Sequence, residues 1–268
     1  MKAIRGAPLE CACEEPGRAE HSPERPSRHS RDDPSERRGN RTRKGARPEP
    51  TVDVMVLTAG RRAYLDRTLA SFAEYVHGPV VHAGVFDDSG DERFGRWLSA
   101  RCPGWDIITT PGRIGFTRAV RAAWEHERRR GGAPYIFHLE EDFVFDRRVD
   151  LLEMIAVLEQ DPMLAQVALL RGPFFSSEID VGGIVQEDPD AYAARRAGEL
   201  AWLEHRKTFT TNPCLYRRTL LNTRWPDVAH SESAFSRQLV RRGHRFAFMG
   251  NGETWVTHIG VERTQHGY

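Results

Sequence analysis

The sequence predicts an α/β protein with a mostly parallel central sheet flanked by helices. Short, nearly continuous apolar runs alternate with segments whose apolar residues recur every three or four positions. The first two apolar runs also end in polar residues, at Thr58 and at Asp87. Alternating strands and helices are typical of βαβ units, whose strands are parallel and buried on both faces. Polar residues at the ends of such strands lie where α/β domains bind their ligands.

The elements of the first half follow in order. The strand over 52–57 is almost wholly apolar, and the next helix places Leu65, Leu69 and Phe72 on one face. The same pattern predicts further strands over 79–86, 105–110 and 135–139. The helices between them carry the apolar residues Phe94, Trp97 and Leu98, and then Phe116, Val120 and Trp124.

The second half is less regular. Apolar spacing predicts a helix over 149–160 and a strand over 165–171, and a loop-rich segment over 172–190 is assigned to substrate contact. The remaining predicted elements are a helix over about 191–205, a helix that opens at Ser231, a strand over 244–249 and a closing segment over 255–260.

Residues 1–50 differ from the rest and are predicted to be a disordered, basic, Pro-rich tail. They contain almost no large apolar side chains, so they cannot bury enough surface to offset the entropy of ordering. Basic pairs such as Arg37-Arg38 either contact an acidic partner or belong to a solvated linker. We expect one folded domain over 51–268.

Composition narrows the class of protein. The 268 residues are 39% hydrophobic and carry a net charge of +1, which favours no particular partner. Four cysteines are expected to be reduced. Because no apolar run is long enough to span a membrane and the N-terminus lacks the apolar core of a signal peptide, we expect a cytoplasmic protein without a transmembrane segment.

Three consecutive acids, Glu140, Glu141 and Asp142, follow the predicted strand over 135–139. Adjacent carboxylates repel one another and are costly to bury, so they are kept at an exposed strand end or beside a cation. In an extended chain Glu140 and Asp142 point to the same side. Such a pair suits a hard ion such as Mg²⁺ or Mn²⁺; the alternative is a solvated acidic turn.

Several separated segments follow the order of one known pattern: Val54–Arg61, Phe86–Ser89, Arg113–Ala119, Leu139–Asp142, Leu215–Arg218, Ser231–Gly243 and Thr257-His258. With them the chain resembles the GT-A-fold glycosyltransferases (the nucleotide-diphospho-sugar transferase fold), most closely those of family 2. Two positions depart from the family. Glu140 replaces the first Asp of the Asp-x-Asp signature, and Ser233 stands where the family usually has the Asp that acts as base.

The resemblance implies a metal-dependent glycosyltransferase that moves a sugar from a nucleotide-sugar donor, with UDP-sugars as the expected class, to an acceptor hydroxyl with inversion. It implies Mn²⁺ or Mg²⁺ on Asp142 and His258, with Glu140 or Glu141 acting through water. Glu232 would be the general base. The remaining implied donor contacts are Thr58, Arg61, Asp87 and Asp88 for the nucleoside, and Arg113 and Arg118 for the phosphates.

Each of these residues also has a structural interpretation. Asp87 and Asp88 are typical of turns, and Glu232 suits a first helical turn without any catalytic role. His258 can be an ordinary polar residue near the terminus. The tryptophans either stack on sugar rings or belong to the core; they are Trp202, Trp225 and Trp255.

Two other classes of protein remain alternatives. Ser233 keeps open a non-catalytic nucleotide- or sugar-binding protein of the same fold. A nucleotidyltransferase would carry a Gly-rich loop followed by Lys or Arg after the first strand, and this sequence has none there. The resemblance names no acceptor, so a glycan, a lipid, a protein and a modified nucleic-acid base are all left open, as is the oligomeric state.

Overall fold

The computed structural model describes residues 50–260. The predicted tail, apart from Pro50, and residues 261–268 of the predicted domain lie outside this range. The strands are β1 (Val52–Thr58), β2 (Val76–His77), β3 (Val80–Asp87), β4 (Asp106–Thr109), β5 (Tyr135–Glu140), β6 (Phe143–Phe145), β7 (Val149–Asp150), β8 (Leu164–Ala168), β9 (Tyr192–Ala197), β10 (Leu200–His205), β11 (Cys214–Arg217), β12 (Arg245–Met249) and β13 (Val256–His258). The α-helices are α1 (Arg62–Tyr75), α2 (Glu92–Arg101), α3 (Phe116–Arg130), α4 (Leu151–Leu158), α5 (Ser176–Val181), α6 (Ile184–Glu187) and α7 (Ser231–Arg241), and short 3-10 helices cover Pro189–Ala191 and Arg218–Asn222.

Within residues 50–260, nine strands form one mixed sheet in the order β4-β3-β1-β5-β11-β8-β12-β10-β9. Strands β4, β3, β1 and β5 are parallel neighbours, and β8 pairs in parallel with β12. Strand β11 runs antiparallel between β5 and β8, and β10 and β9 add an antiparallel edge. The predicted α/β fold with a mostly parallel central sheet is confirmed.

The sheet separates two apolar layers. In β1, Val54 and Val56 face a cluster formed with α1, α2 and α4, whereas Met55 and Leu57 face a cluster formed with α3 and α7. This two-residue period is what a strand buried on both faces requires. All seven residues of β1 are buried. Strand β1 is therefore an interior strand, as its apolar sequence predicts.

Aromatic side chains fill the layer between the sheet and helices α3 and α7. The ring of Trp124 lies 5.4 Å from Tyr216, 5.2 Å from Trp225 and 5.3 Å from Phe235, centroid to centroid. Trp225 and Trp202 are buried, and Trp255 is partly buried against the opposite layer. The structure therefore places these three predicted sugar-stacking candidates in or against the core.

The prediction of a helix over about 191–205 is wrong. The segment forms a hairpin of β9 and β10, with Gly198-Glu199 as its two-residue turn. Gly198 has a φ of 61°, which glycine adopts at little cost. The Ala, Leu, Glu and Arg residues here favour helices, but β10 pairs with β12 and buries Trp202. Sheet pairing therefore overrides the intrinsic preference of the segment.

A buried ion-pair cluster joins the start of β1 to the end of α3. The carboxylates of Asp53 and Glu127 are buried. Arg130 Nη2 lies 2.5 Å from Asp53 Oδ2 and 2.7 Å from Glu127 Oε2, and Arg218 pairs with both carboxylates. Two positive and two negative charges offset each other there. Loss of one carboxylate would leave partly buried guanidinium groups without full compensation.

We expect Asp53→Ala to lower the free energy of unfolding by about 2–4 kcal/mol, because the two arginines keep some access to water but lose a shared partner. Urea denaturation measures this change. Glu125→Ala is the matched control on α3, because its exposed carboxylate pairs with Arg128 and Arg129 and should contribute little. Equal midpoint shifts for the two variants would contradict the role of the buried cluster.

Candidate active site

A cleft of about 1060 Å³ opens at the carboxyl ends of the parallel strands. Because β1 and β5 pair in parallel, with Leu57 opposite Glu140, their polar ends meet at one edge of the sheet. The cleft walls come from the end of β5, the first turns of α3 and α7, the segment after β8, residues 208–212 and the end of β13. Five parts of the chain that are distant in sequence thus converge on the acidic end of β5.

The three consecutive acids divide between two sides of the chain. Glu140 and Asp142 line the cleft, as their alternation predicts. Glu141 points away and is buried; its carboxylate accepts hydrogen bonds from the Thr58 hydroxyl and from Arg61 Nε, the latter at 2.6 Å. Thr58 and Glu141 therefore lie behind the cleft wall, where they hold the end of β5 against the end of β1.

Asp142 is held by two partners. Its Oδ2 accepts hydrogen bonds from Arg61 Nη2 at 2.7 Å and from His258 Nε2 at 3.1 Å. Burial acts to raise the pKa of Asp142, but His258 and Arg61 outweigh it and lower the pKa below its ordinary value. Asp142 is therefore an ionised carboxylate in a buried setting.

The position of His258 depends on pairing between distant strands. Strand β13 pairs with β6, which places His258 opposite Phe143, directly after Asp142. The His258 ring also stacks on Phe143, with 4.8 Å between centroids. Gly260 approaches so closely that a Cβ there would lie 2.1 Å from Asp142 Oδ2. The closing segment of the described chain therefore needs a small residue beside the carboxylate.

Glu232 lies on the first turn of α7 and lines the same cleft. Its Oε1 accepts hydrogen bonds from the backbone N–H and the hydroxyl of Thr211, each at 2.8 Å. Burial raises the pKa of Glu232, and the Thr211 hydrogen bonds only partly oppose this. Burial also raises the pKa of Glu140 well above its ordinary value, and the negative charges of Asp142 and Glu232 add to the effect.

The donor atoms in the cleft fit a divalent cation. Within residues 50–260, no group of three or more His, Cys, Asp or Glu side chains is arranged to hold a metal ion. Two buried oxygens, Asp142 Oδ1 and Glu140 Oε1, nevertheless have no hydrogen-bond partner. Mg²⁺ and similar ions are commonly held by one or two carboxylates together with substrate phosphates. These two oxygens fit such an ion, whereas His258 directs its Nε2 to Asp142.

The predicted nucleoside contacts at the end of β3 do not line the cleft. Asp87 and Asp88 are buried. Asp87 accepts hydrogen bonds from the backbone and the hydroxyl of Ser89, and burial raises its pKa despite them. Asp88 accepts from the backbone N–H groups of Ile114 and Gly115, each at 2.8 Å. Both aspartates thus hold the loops that frame the cleft, and a nucleoside role for them stays a prediction.

The two arginines predicted to bind phosphate line different pockets. Arg118 lines the cleft on the first turn of α3 and is mostly exposed, with its Nε 3.8 Å from Asp227. Arg113 donates from Nη2 to the carbonyl of Ala59 at 2.5 Å and lines a second, smaller pocket. Arg61, predicted as a nucleoside contact, lines the cleft through its ion pair with Asp142.

Two features of the site were not predicted from the sequence. Thr211 orients Glu232, and nothing in its local sequence marks it. Arg171 and Glu178 form a two-bond ion pair at 2.6 and 2.9 Å inside the cleft. Arg171 follows the predicted strand over 165–171 and so stands at a strand end, which was a usable signal.

No family model and no curated protein matches the chain, but solved structures do. The mannosyltransferase PcManGT from Pyrobaculum calidifontis, in complex with GDP-Man and Mn²⁺, matches with a TM-score of 0.55 and 17% identity over 81% of this chain and 59% of that one. GalNAc-T7 with UDP, GalNAc and Mn²⁺ matches with a TM-score of 0.55 and 10% identity, over 81% of this chain and 45% of that one. S. aureus TarS 1-349 matches with a TM-score of 0.54 and 12% identity, over 78% of this chain and 60% of that one.

The chain therefore has the GT-A fold, the fold of glycosyltransferases that its motifs resemble. It spans about half to three fifths of the length of these solved structures. At identities this low, the similarity establishes the fold alone. Among residues 50–260, every helix is too short or too polar to cross a membrane.

We expect Glu140→Gln to stabilise the protein at neutral and alkaline pH. Because the folded pKa of Glu140 lies above the ordinary value of 4.5, the folded state binds this proton more tightly than the unfolded chain. The stabilisation that this proton gives the folded state is thus fully present below pH 4.5 and is lost as the pH rises through the folded pKa of Glu140. The gain for Glu140→Gln should be about 0.5–2 kcal/mol near pH 8 and should shrink toward pH 4.5.

Urea unfolding at both pH values, without added metal, measures this difference. Glu74→Gln removes an exposed carboxylate from α1 and is the control, for which we expect no pH-dependent change. A destabilised Glu140→Gln near pH 8 would show that the ionised carboxylate makes favourable contacts in the folded protein.

Proposed function

We propose that the protein is a metal-dependent glycosyltransferase that moves a sugar from a nucleotide-sugar donor, with UDP-sugars as the first class to test, to an acceptor hydroxyl. One observation carries this proposal. The carboxylates of Glu140, Asp142 and Glu232 line a single cleft at the carboxyl ends of parallel strands. The GT-A fold supports it, since the similar structures include transferases solved with GDP-Man or UDP and with Mn²⁺.

Asp142 and Glu140 would hold Mn²⁺ or Mg²⁺ through their unpartnered oxygens. When bound, such an ion supplies positive charge that offsets the charge on a departing diphosphate. The chain supplies further positive potential, because the first turn of α3 lines the cleft at Gly115 and Phe116 and carries Arg118. The positive end of a helix dipole and a guanidinium both favour phosphate oxygens.

Glu232 is proposed as the general base. Because both Thr211 hydrogen bonds go to Oε1, Oε2 is the atom left to accept the proton of the acceptor hydroxyl. The acceptor oxygen then bonds to the anomeric carbon while the bond from that carbon to the phosphate oxygen breaks. A raised pKa makes Glu232 a better base than an exposed Glu near neutral pH. Attack opposite the leaving group inverts the anomeric centre.

A second function, nucleotide-sugar binding without transfer, is favoured by one contact. Arg61 Nη2 already pairs with Asp142 Oδ2, and a guanidinium there competes with a metal ion for the same carboxylate. Incubation with Mn²⁺ or Mg²⁺ and a panel of nucleotide sugars, followed by measurement of nucleotide release, separates the two functions. Metal-dependent release supports the transferase, because donor hydrolysis needs no acceptor other than water. Donor binding without release supports the binding protein.

We expect Asp142→Asn to abolish metal-dependent nucleotide release, because an amide oxygen is a far weaker ligand for a hard cation. The loss should be about 10²-fold or more, with the circular dichroism spectrum unchanged. Asp146→Asn is the control, since its carboxylate is exposed four residues further along the chain. Full activity of Asp142→Asn would remove this residue from the metal site.

We expect Glu232→Gln to reduce transfer by about 10²–10⁴-fold, because the amide cannot take the proton. Donor affinity should stay within about twofold, since the proposed base does not touch the nucleotide. Single-turnover kinetics and equilibrium donor binding measure the two quantities. Equal losses in both would show that Glu232 serves only to hold residues 208–212 against α7.

A further inference from the structure

Exposed apolar side chains concentrate beside the cleft. Within residues 50–260, the exposed large apolar side chains are Val81, Ile114, Leu152, Phe175, Ile179, Val181 and Val228. Three of them, Ile114, Phe175 and Val228, line the cleft. Ile179 and Val181 lie on α5, the helix whose Glu178 also lines it. We call Phe175 and Ile179 the apolar lip, because they lie one helical turn apart, with the Ile179 N–H bonded to the Phe175 carbonyl. A clustered apolar surface at a cleft marks a contact with an apolar ligand or partner.

Hydrogen bonds to a buried carboxylate fix the backbone at the start of the apolar lip. The buried carboxylate of Glu178 accepts hydrogen bonds from the backbone N–H groups of Phe174 and Phe175 at 2.9 and 3.2 Å. Arg171 closes this network, and its guanidinium lies over both phenylalanine rings at 5.5 and 5.4 Å. The backbone at the start of the lip is therefore fixed by buried ionic contacts. Ile179 remains 61% exposed on this anchored helix.

The cleft changes character along its length. Its buried end carries Glu140 and Glu232, whereas its wall toward α5 is built from Leu170, Phe174 and Ile184. The Phe174 ring packs against His258 at the inner end, with 4.3 Å between centroids. Phe174 also meets the Phe175 ring edge-on at 5.3 Å. An apolar surface thus runs from beside Asp142 and its partner His258 out to the lip.

We propose that the acceptor is an amphipathic molecule, a hydroxyl group on an alkyl or aromatic body, whose apolar part lies on the apolar lip. The proposal rests on the transferase function above and names the acceptor class for the same cleft. The hydroxyl reaches Glu232 and gives up its proton there, its oxygen bonds to the anomeric carbon, and the bond from that carbon to the donor phosphate breaks. Covering the lip with the apolar body removes Phe175 and Ile179 from water. The opposite side of the cleft also exposes Ile114 and Val228, but there the exposed charged pair Arg118 and Asp227 interrupts the apolar surface, so the apolar body belongs on the α5 side.

Two probes with one head group isolate the apolar contact. Methyl β-D-glucoside and n-octyl β-D-glucoside, the latter below its critical micellar concentration, are titrated into the full chain by isothermal calorimetry. We expect the octyl compound to bind at least about tenfold more tightly, because its added methylenes lose their contact with water when they lie on the lip. In Phe175→Ser/Ile179→Ser this preference should fall to about threefold or less.

Val81→Ser and Leu152→Ser are the matched controls, because each removes an exposed apolar side chain away from the cleft. Neither should change the ratio of the two affinities. An unchanged ratio in the lip variant, or an equal loss in the controls, would overturn the proposal. Circular dichroism and melting temperature show whether each variant is folded.

Nucleotide release from a sugar donor, measured in the same variants, separates this proposal from the function on which it rests. The lip variant should keep donor hydrolysis, because its substitutions leave Glu140, Asp142 and Glu232 unchanged. Release in every variant with no preference for the octyl compound overturns the acceptor class alone. A retained octyl preference with no release from any donor overturns the transferase function, and with it the acceptor role of the lip.

Discussion

The candidate site depends on the ion pairs that the Arg61 guanidinium forms. This group lies 2.6 Å from Glu141 and 2.7 Å from Asp142, and so it offsets two of three consecutive acids at the end of an interior strand. Without a cation there, the repulsion and desolvation of these carboxylates would oppose the burial of the strand end. Arg61 comes from the loop after β1, so one ion-paired side chain also fixes β1 against β5. The fold thus provides an internal cation for part of the cluster and leaves Glu140 for the cleft.

Glu140 and Glu232 have no comparable cationic partner. Partial burial raises both pKa values. Asp142 has a lowered pKa because His258 and Arg61 face it. One small region therefore holds a firmly ionised carboxylate beside two that bind protons readily. Separation of pKa values between neighbouring acids is typical of sites in which the acids take different roles in proton transfer.

Much of the fold was readable because its signals are local. The apolar run of β1 and the period of α1 predict their elements without help from the rest of the chain. The segment over 191–205 shows the limit of that approach. Its composition favours a helix, yet β10 gains a partner in β12 that only the folded chain supplies. The tryptophans show the same limit, because burial of Trp225 follows from packing against Trp124 and Phe235.

The sequence by itself determined the α/β class, the acidic end of β5 and the opposite facing of Glu141, since alternation along a strand is a property of the backbone. Only the tertiary structure decided which polar residues share the cleft. Pairing of β13 with β6 brings His258 to Asp142 across 116 positions, and Thr211 reaches Glu232 through the packing of residues 208–212 on α7. The loop before α3 likewise brings the backbone N–H groups of Ile114 and Gly115 to Asp88. The physical reason is range: hydrophobic period and strand alternation act over a few residues, whereas a site is assembled by contacts between segments whose separation the sequence does not encode locally.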